Sequence, residues 1–130
     1  MKRRTAREKA LQALFQIDVS EVDPQDAIEH VLDGERSDDY LVQLVLGVVD
    51  NLSQIDEVLK GNLENWTMDR LATVDRNLLR LSTYELIFCK EDVPPNVAID
   101  EAIEIAKIYG DEKSSKFING ILSNVKQMNL

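Results

Sequence analysis

Four cations, Lys2, Arg3, Arg4 and Arg7, open the chain, and Phe15 follows Arg7 by about two helical turns. A guanidinium binds phosphate through a planar fork of N–H donors, and an aromatic face beside it can carry an unstacked base. Together these are the requirements for holding single-stranded RNA, by the backbone and by splayed bases. Lys113, Lys116 and Phe117 offer the same pair of chemistries late in the chain. Both rings also fit an apolar core, and spacing alone does not separate the two readings.

The formal charge of −9 opposes a nucleic-acid partner, since phosphate contacts need positive potential. Its distribution changes the picture. Residues 2 to 9 hold Lys2, Arg3, Arg4, Arg7 and Lys9 against Glu8 alone, whereas residues 18 to 39 hold nine acids against Arg36. This is the pattern of a basic contact zone on a repelling body, or of a solvated tail beside a solvated acidic face.

Other chemistry is sparse. Glu85 interrupts the apolar row Val74, Leu78, Leu81 and Phe88, where an unpaired carboxylate would cost several kcal/mol, roughly, so it must have donors. The first amides of the following helix, near Val97 and Ala98, are the expected partners, which makes Glu85 structural and not catalytic. The single cysteine, Cys89, sits among apolar neighbours, and His30 has no second ligand nearby, so no disulfide, metal site or cofactor is expected. No phosphate loop or nucleophile elbow is present, and an enzyme is not expected. Without a long apolar run or a secretion-type leader, the chain reads as cytoplasmic with no membrane association.

The elements that carry these residues read as helices throughout. Thr5 and Glu8 form a capping box that starts the first helix at Ala6, with Ala6, Ala10, Ala13, Leu14 and Ile17 as its core face. Asp23-Pro24 opens a second helix, closed by Gly34, and Ser37 starts a third running from residue 38 to about 60. Thr67 caps a single turn, Thr73 caps a helix from Val74 to about Cys89, and a nearly all-apolar helix spans residues 96 to 109. A last helix from about Ser114 turns Ile118, Ile121, Leu122 and Val125 inward, with Gly120 admitting a close neighbour. The fold class is all-α, about seven helices in two packed subdomains, three in residues 1–61 and four in 62–130, together one domain.

Several blocks taken together resemble the NusB family of transcription antitermination factors. They are Arg3-Arg4-Thr5-Ala6-Arg7 with Gln12-Ala13-Leu14-Phe15, Leu79-Arg80-Leu81 with Tyr84-Glu85-Leu86, Val93-Pro94 with Val97 to Ala102, and Lys107 with Lys116 to Leu122. The resemblance covers essentially the whole chain. It implies an all-helical factor of the transcription elongation complex that pairs with the small-subunit ribosomal protein NusE and binds the boxA element in ribosomal RNA operon transcripts. By position it places Lys2, Arg4, Arg7, Phe15 and Phe117 on the RNA side and Asp75 on the ribosomal-protein side. Lys113, where some relatives carry an acid, lies in a loop of the same partner region, and many relatives have Asn at the position of Asp100. Family members occur as monomers and as homodimers. A basic partner meeting acidic residues would enlarge the RNA surface, so RNA and partner should tighten one another. The alternatives are a helical adapter between proteins and the NusB-like domain of certain ribosomal RNA cytosine methyltransferases, the latter disfavoured because 130 residues leave no room for a catalytic domain.

Overall fold

The computed structural model describes residues 1–130 as seven α-helices, one short 3₁₀ turn and no strand. The helices are α1 (Arg3–Ser20), α2 (Pro24–Leu32), α3 (Asp39–Asp50), α4 (Leu52–Lys60), α5 (Thr73–Phe88), α6 (Pro95–Tyr109) and α7 (Ser114–Gln127), with the 3₁₀ turn at Met68–Arg70 between α4 and α5. The all-α expectation is met. The division is different: four α-helices precede Gly61, and three follow it with the 3₁₀ turn.

The difference lies at Asn51. The apolar periodicity runs unbroken through residues 38 to 60, but the Asn51 side chain donates to the Gly47 carbonyl at 2.8 Å and its backbone leaves the helical region at φ −116°, ψ 20°. A short amide that bonds the carbonyl four residues back competes with the helix ladder, and here it separates α3 from α4. Asp38, not Ser37, caps α3, its Oδ1 accepting from the amides of Tyr40 and Leu41 at 3.0 and 3.1 Å. The cap of α2 is as expected: Asp23 Oδ2 accepts from the Gln25 amide, with Pro24 at the first helical position. Thr67 and Thr73 make no side-chain cap bond.

Helix α1 begins a full turn earlier than the capping box implies. The Ala6 amide bonds the Lys2 carbonyl, so Thr5 lies inside the first turn. Arg3 and Arg4 are held by neighbouring helices, and that anchoring outweighs the local capping preference of Thr5 and Glu8. The core face of α1 holds Ala6, Ala10 and Ala13 fully buried and Leu14 nearly so as expected, but Ile17 is only partly buried and Leu11 joins the buried side. These small side chains let α1 approach α2, α3 and α5 closely.

Helix α5 is the axis of the molecule, packed against α1, α3, α4, α6 and α7. A single cluster of 33 buried hydrophobic residues runs through both sides of Gly61. Helix α6 is less enclosed than its composition suggests: Ala98, Ile99, Ala102, Ile105 and Ala106 are buried, whereas Val97, Ile108 and Tyr109 are exposed. One contact in the core requires glycine. A Cβ on Gly47 would lie 2.3 Å from the ring of Tyr84, which is itself buried and stacked on Phe88. Gly47→Ala should therefore cost about 1–3 kcal/mol, measured by urea denaturation, because the ring must move within a packed neighbourhood.

Candidate nucleic-acid interface

The basic arm divides into exposed and buried members. Lys2, Arg3 and Arg4 are exposed at the start of α1, with the Arg3 guanidinium 4.2 Å from the centre of the Tyr40 ring. Arg7 is only 4% exposed. Its Nε and Nη2 donate to the Glu85 carboxylate at 3.0–3.1 Å, and its Nη1 donates to Glu101 at 3.1 Å. The Tyr40 hydroxyl also donates to Glu85. Burial, together with that hydrogen bond to Glu85, pushes the Tyr40 phenol well above its ordinary value.

This geometry corrects the expected donors of Glu85 and shows where the Arg7 fork is engaged. Glu85 is structural, but its donors are Arg7 of α1 and Tyr40 of α3. The amides of Val97 and Ala98 already bond the Pro94 carbonyl at 2.9 and 3.1 Å and leave no donor for a carboxylate. Arg7, read as a phosphate ligand, spends its fork on carboxylates inside the protein, because a buried Glu85 needs a cation more than an exposed surface does. Lys9 is also engaged, donating to the Val31 carbonyl at the end of α2.

Glu101 on α6 joins the buried and exposed arginines. Arg4 lays its Nε against Glu101 Oε1 at 3.0 Å and its Nη2 against Oε2, while Arg7 reaches the same carboxylate from the other side. The hydrogen bond from Arg4 holds the Glu101 carboxyl below its ordinary 4.5, against a smaller opposing effect of burial. A second charged junction sits at the far end of α1. Asp18 accepts from Arg76 Nε at 2.8 Å and from Asn77 Nδ2 at 2.9 Å, and Arg80 forks onto Asp56 of α4 at 2.9 Å.

The two aromatic candidates lie in separate hollows. Phe15 is 39% exposed in a shallow cleft of about 290 Å³ with Leu11, Gln12, Val74 and Tyr109. Phe117 is half-buried, between a groove of about 810 Å³ that also holds Lys113, Lys116, Gly120 and Trp66, and a cavity of about 590 Å³ that shares Trp66 and Lys113. Gly120 has nothing within 4 Å of where a Cβ would stand, so close packing is not its role; it keeps the wall of the groove low beside Phe117. Trp66, 55% exposed, was not among the sequence candidates. Its signal was a lone tryptophan in a polar stretch with no apolar periodicity to bury it. Tyr40 and Glu101 carried no comparable signal, since their partners are remote in sequence.

Asp75 lines the smaller cavity with Lys113, Ser114 and Arg70. It is 9% exposed, and its Oδ1 has no hydrogen-bond partner. Burial pushes its carboxyl above the ordinary 3.8. A carboxyl raised on folding carries a penalty that sets in as pH rises above its unfolded value and is complete above its folded value. Asp75→Asn should accordingly raise the melting temperature at pH 7, with the gain shrinking as the pH approaches 4; thermal melts at both pH values measure it.

Residues 4–127 match the sequence model of the NusB family. The chain belongs to the NusB family. Transcription antitermination protein NusB of Bacillus velezensis is 60% identical over 126 residues, covering 97% of this chain and 96% of that one. Among solved structures, NusB of T. maritima superposes with a TM-score of 0.89 at 43% identity, covering 98% of this chain and 92% of that one. A crystal structure of antitermination factors NusB and NusE in complex with dsRNA matches with a TM-score of 0.87 at 32% identity, covering 97% and 96% of the two chains. The chain is thus a NusB antitermination factor by family, with the fold of NusB throughout.

Proposed function

We propose that this NusB-family chain binds boxA-containing single-stranded RNA of ribosomal RNA operon transcripts and pairs with the ribosomal protein NusE within the transcription elongation complex, as a non-enzymatic cytoplasmic factor. The observation that carries the reading is the exposed group Lys2, Arg3 and Arg4 at the start of the helix that also bears the exposed ring of Phe15. Phosphate contacts from the arm and stacking from Phe15 and Phe117 supply the two terms that single-stranded RNA binding needs, with Lys116 adding charge beside Phe117. The relative solved with NusE and RNA supports the pairing. Asp75 and Lys113, which line the same cavity, are the proposed contacts for the ribosomal protein. Arg7 acts in this scheme by positioning the arm and not by touching RNA.

The test is fluorescence anisotropy of a labelled boxA RNA and a scrambled control, with and without NusE, at two salt concentrations. Preference for boxA, tightening with NusE and weakening as salt rises, is the expected result. Equal weak binding to both RNAs, indifferent to NusE, would leave the adapter reading in its place. Light scattering at the same concentrations separates monomer from homodimer.

A further inference from the structure

The Arg4 fork is already occupied. Its Nε and Nη2 face both oxygens of Glu101 in the two-point geometry that a guanidinium uses for phosphate. Arg4 also feels the charges of Glu104 and Glu8, so the most exposed arginine of the ion-pair cluster stands in an acidic surround. Glu101 has a second holder, Arg7 Nη1 at 3.1 Å. When Arg4 leaves, Glu101 therefore remains paired and fixed in place, and Arg7 remains satisfied by Glu85. The exchange does not require the buried cluster to break.

We propose that Glu101 is a tethered phosphate mimic: it holds Arg4 until an RNA phosphate displaces it, and so makes the arm discriminate among RNAs by how well they replace the carboxylate. The inference rests on the RNA-binding reading and specifies its selectivity. A loosely placed phosphate gains little from the swap, because the carboxylate it must displace already holds both arms of the fork. A phosphate held in register by bases stacked elsewhere on the protein can take the fork. Glu101 thus lowers affinity for all RNA and lowers it most for RNA without the matching sequence.

Glu101→Gln tests this by anisotropy against boxA and scrambled RNA over a salt series. The expected result is tighter binding of scrambled RNA by up to about five-fold, the range of a partly exposed ion pair, with a smaller gain for boxA. Discrimination should therefore fall. In an Arg4→Ala background the Gln substitution should change nothing, which shows that Glu101 acts through Arg4. Weaker or unchanged binding by Glu101→Gln, with its melting temperature preserved, would overturn the proposal and make Glu101 a positioning residue. If the substitution destabilises the fold, the wild-type protein decides: the ¹⁵N Arg4 Nε–H resonance should move on RNA addition while that of Arg7 stays, and an unmoved Arg4 overturns the proposal. No RNA binding by either wild type or Glu101→Gln would instead overturn the underlying RNA reading.

Discussion

Glu85→Ala should lower the free energy of unfolding by about 3–5 kcal/mol, a fall in melting temperature of about 10–20 °C. Glu85 is 1% exposed and Arg7 4%, so removing the carboxylate leaves a guanidinium buried with only Glu101 on its Nη1 and no partner on Nε or Nη2. The Tyr40 hydroxyl loses its acceptor at the same time. Arg7→Ala should be as damaging, since it strands Glu85. Tyr40→Phe should cost about 1–2 kcal/mol, because one donor is lost while the ion pair stays. Replacing both partners, as in Arg7→Met with Glu85→Leu, should recover most of the loss, since an apolar pair carries no desolvation cost. Urea denaturation of the four variants measures the series, and a loss below about 1 kcal/mol in Glu85→Ala would show that the buried pair does not hold the helices together. It follows that loss of RNA binding in Arg7→Ala says nothing about phosphate contact unless folding is monitored.

Phe15→Ala should weaken RNA binding by about 1–3 kcal/mol, or roughly 5- to 150-fold, with a stability cost of about 1 kcal/mol. The ring is 39% exposed in a cleft it shares with Val74 and Tyr109, so part of it is open to a stacked base. Phe15→Tyr should retain most affinity, because the stacking surface survives. The salt dependence separates this contribution from that of the arm. Loss of a stacked base leaves the slope of log affinity against log salt unchanged, whereas Arg4→Ala should reduce it by about 0.7 for one phosphate contact on single-stranded RNA. Anisotropy over a salt series with the two variants measures both. Equal affinity of wild type and Phe15→Ala would remove Phe15 from the RNA contact.

Much of this was legible in local pattern. The alanine face of α1, the Asp23-Pro24 start of α2 and the inward row of α7 are consequences of neighbouring residues, and each is where the spacing puts it. The break at Asn51 was hidden because the apolar period continues across it, while a single side-chain hydrogen bond decides the backbone. Glu85 was recognisable as a buried carboxylate in need of donors, but its partners come from positions 78 and 45 residues away, and no local pattern encodes such a meeting. Arg7 could not be told from Arg4 for the same reason. They lie one turn apart on one helix and carry the same charge; only the helices that close over α1 make one internal and leave the other on the surface.

The two junctions along α1 have a mechanical meaning. Arg7 bolts one end of the helix to Glu85, and Asp18, about three turns on, bolts the other to Arg76 and Asn77 of the same α5 running in the opposite direction. Two fixings on one rod remove both sliding and rolling. The basic arm at one end and Asp75 beside the other are therefore held at a constant separation, like the jaws of a locked calliper. A ligand at either end meets a surface whose spacing is set by these two sets of contacts.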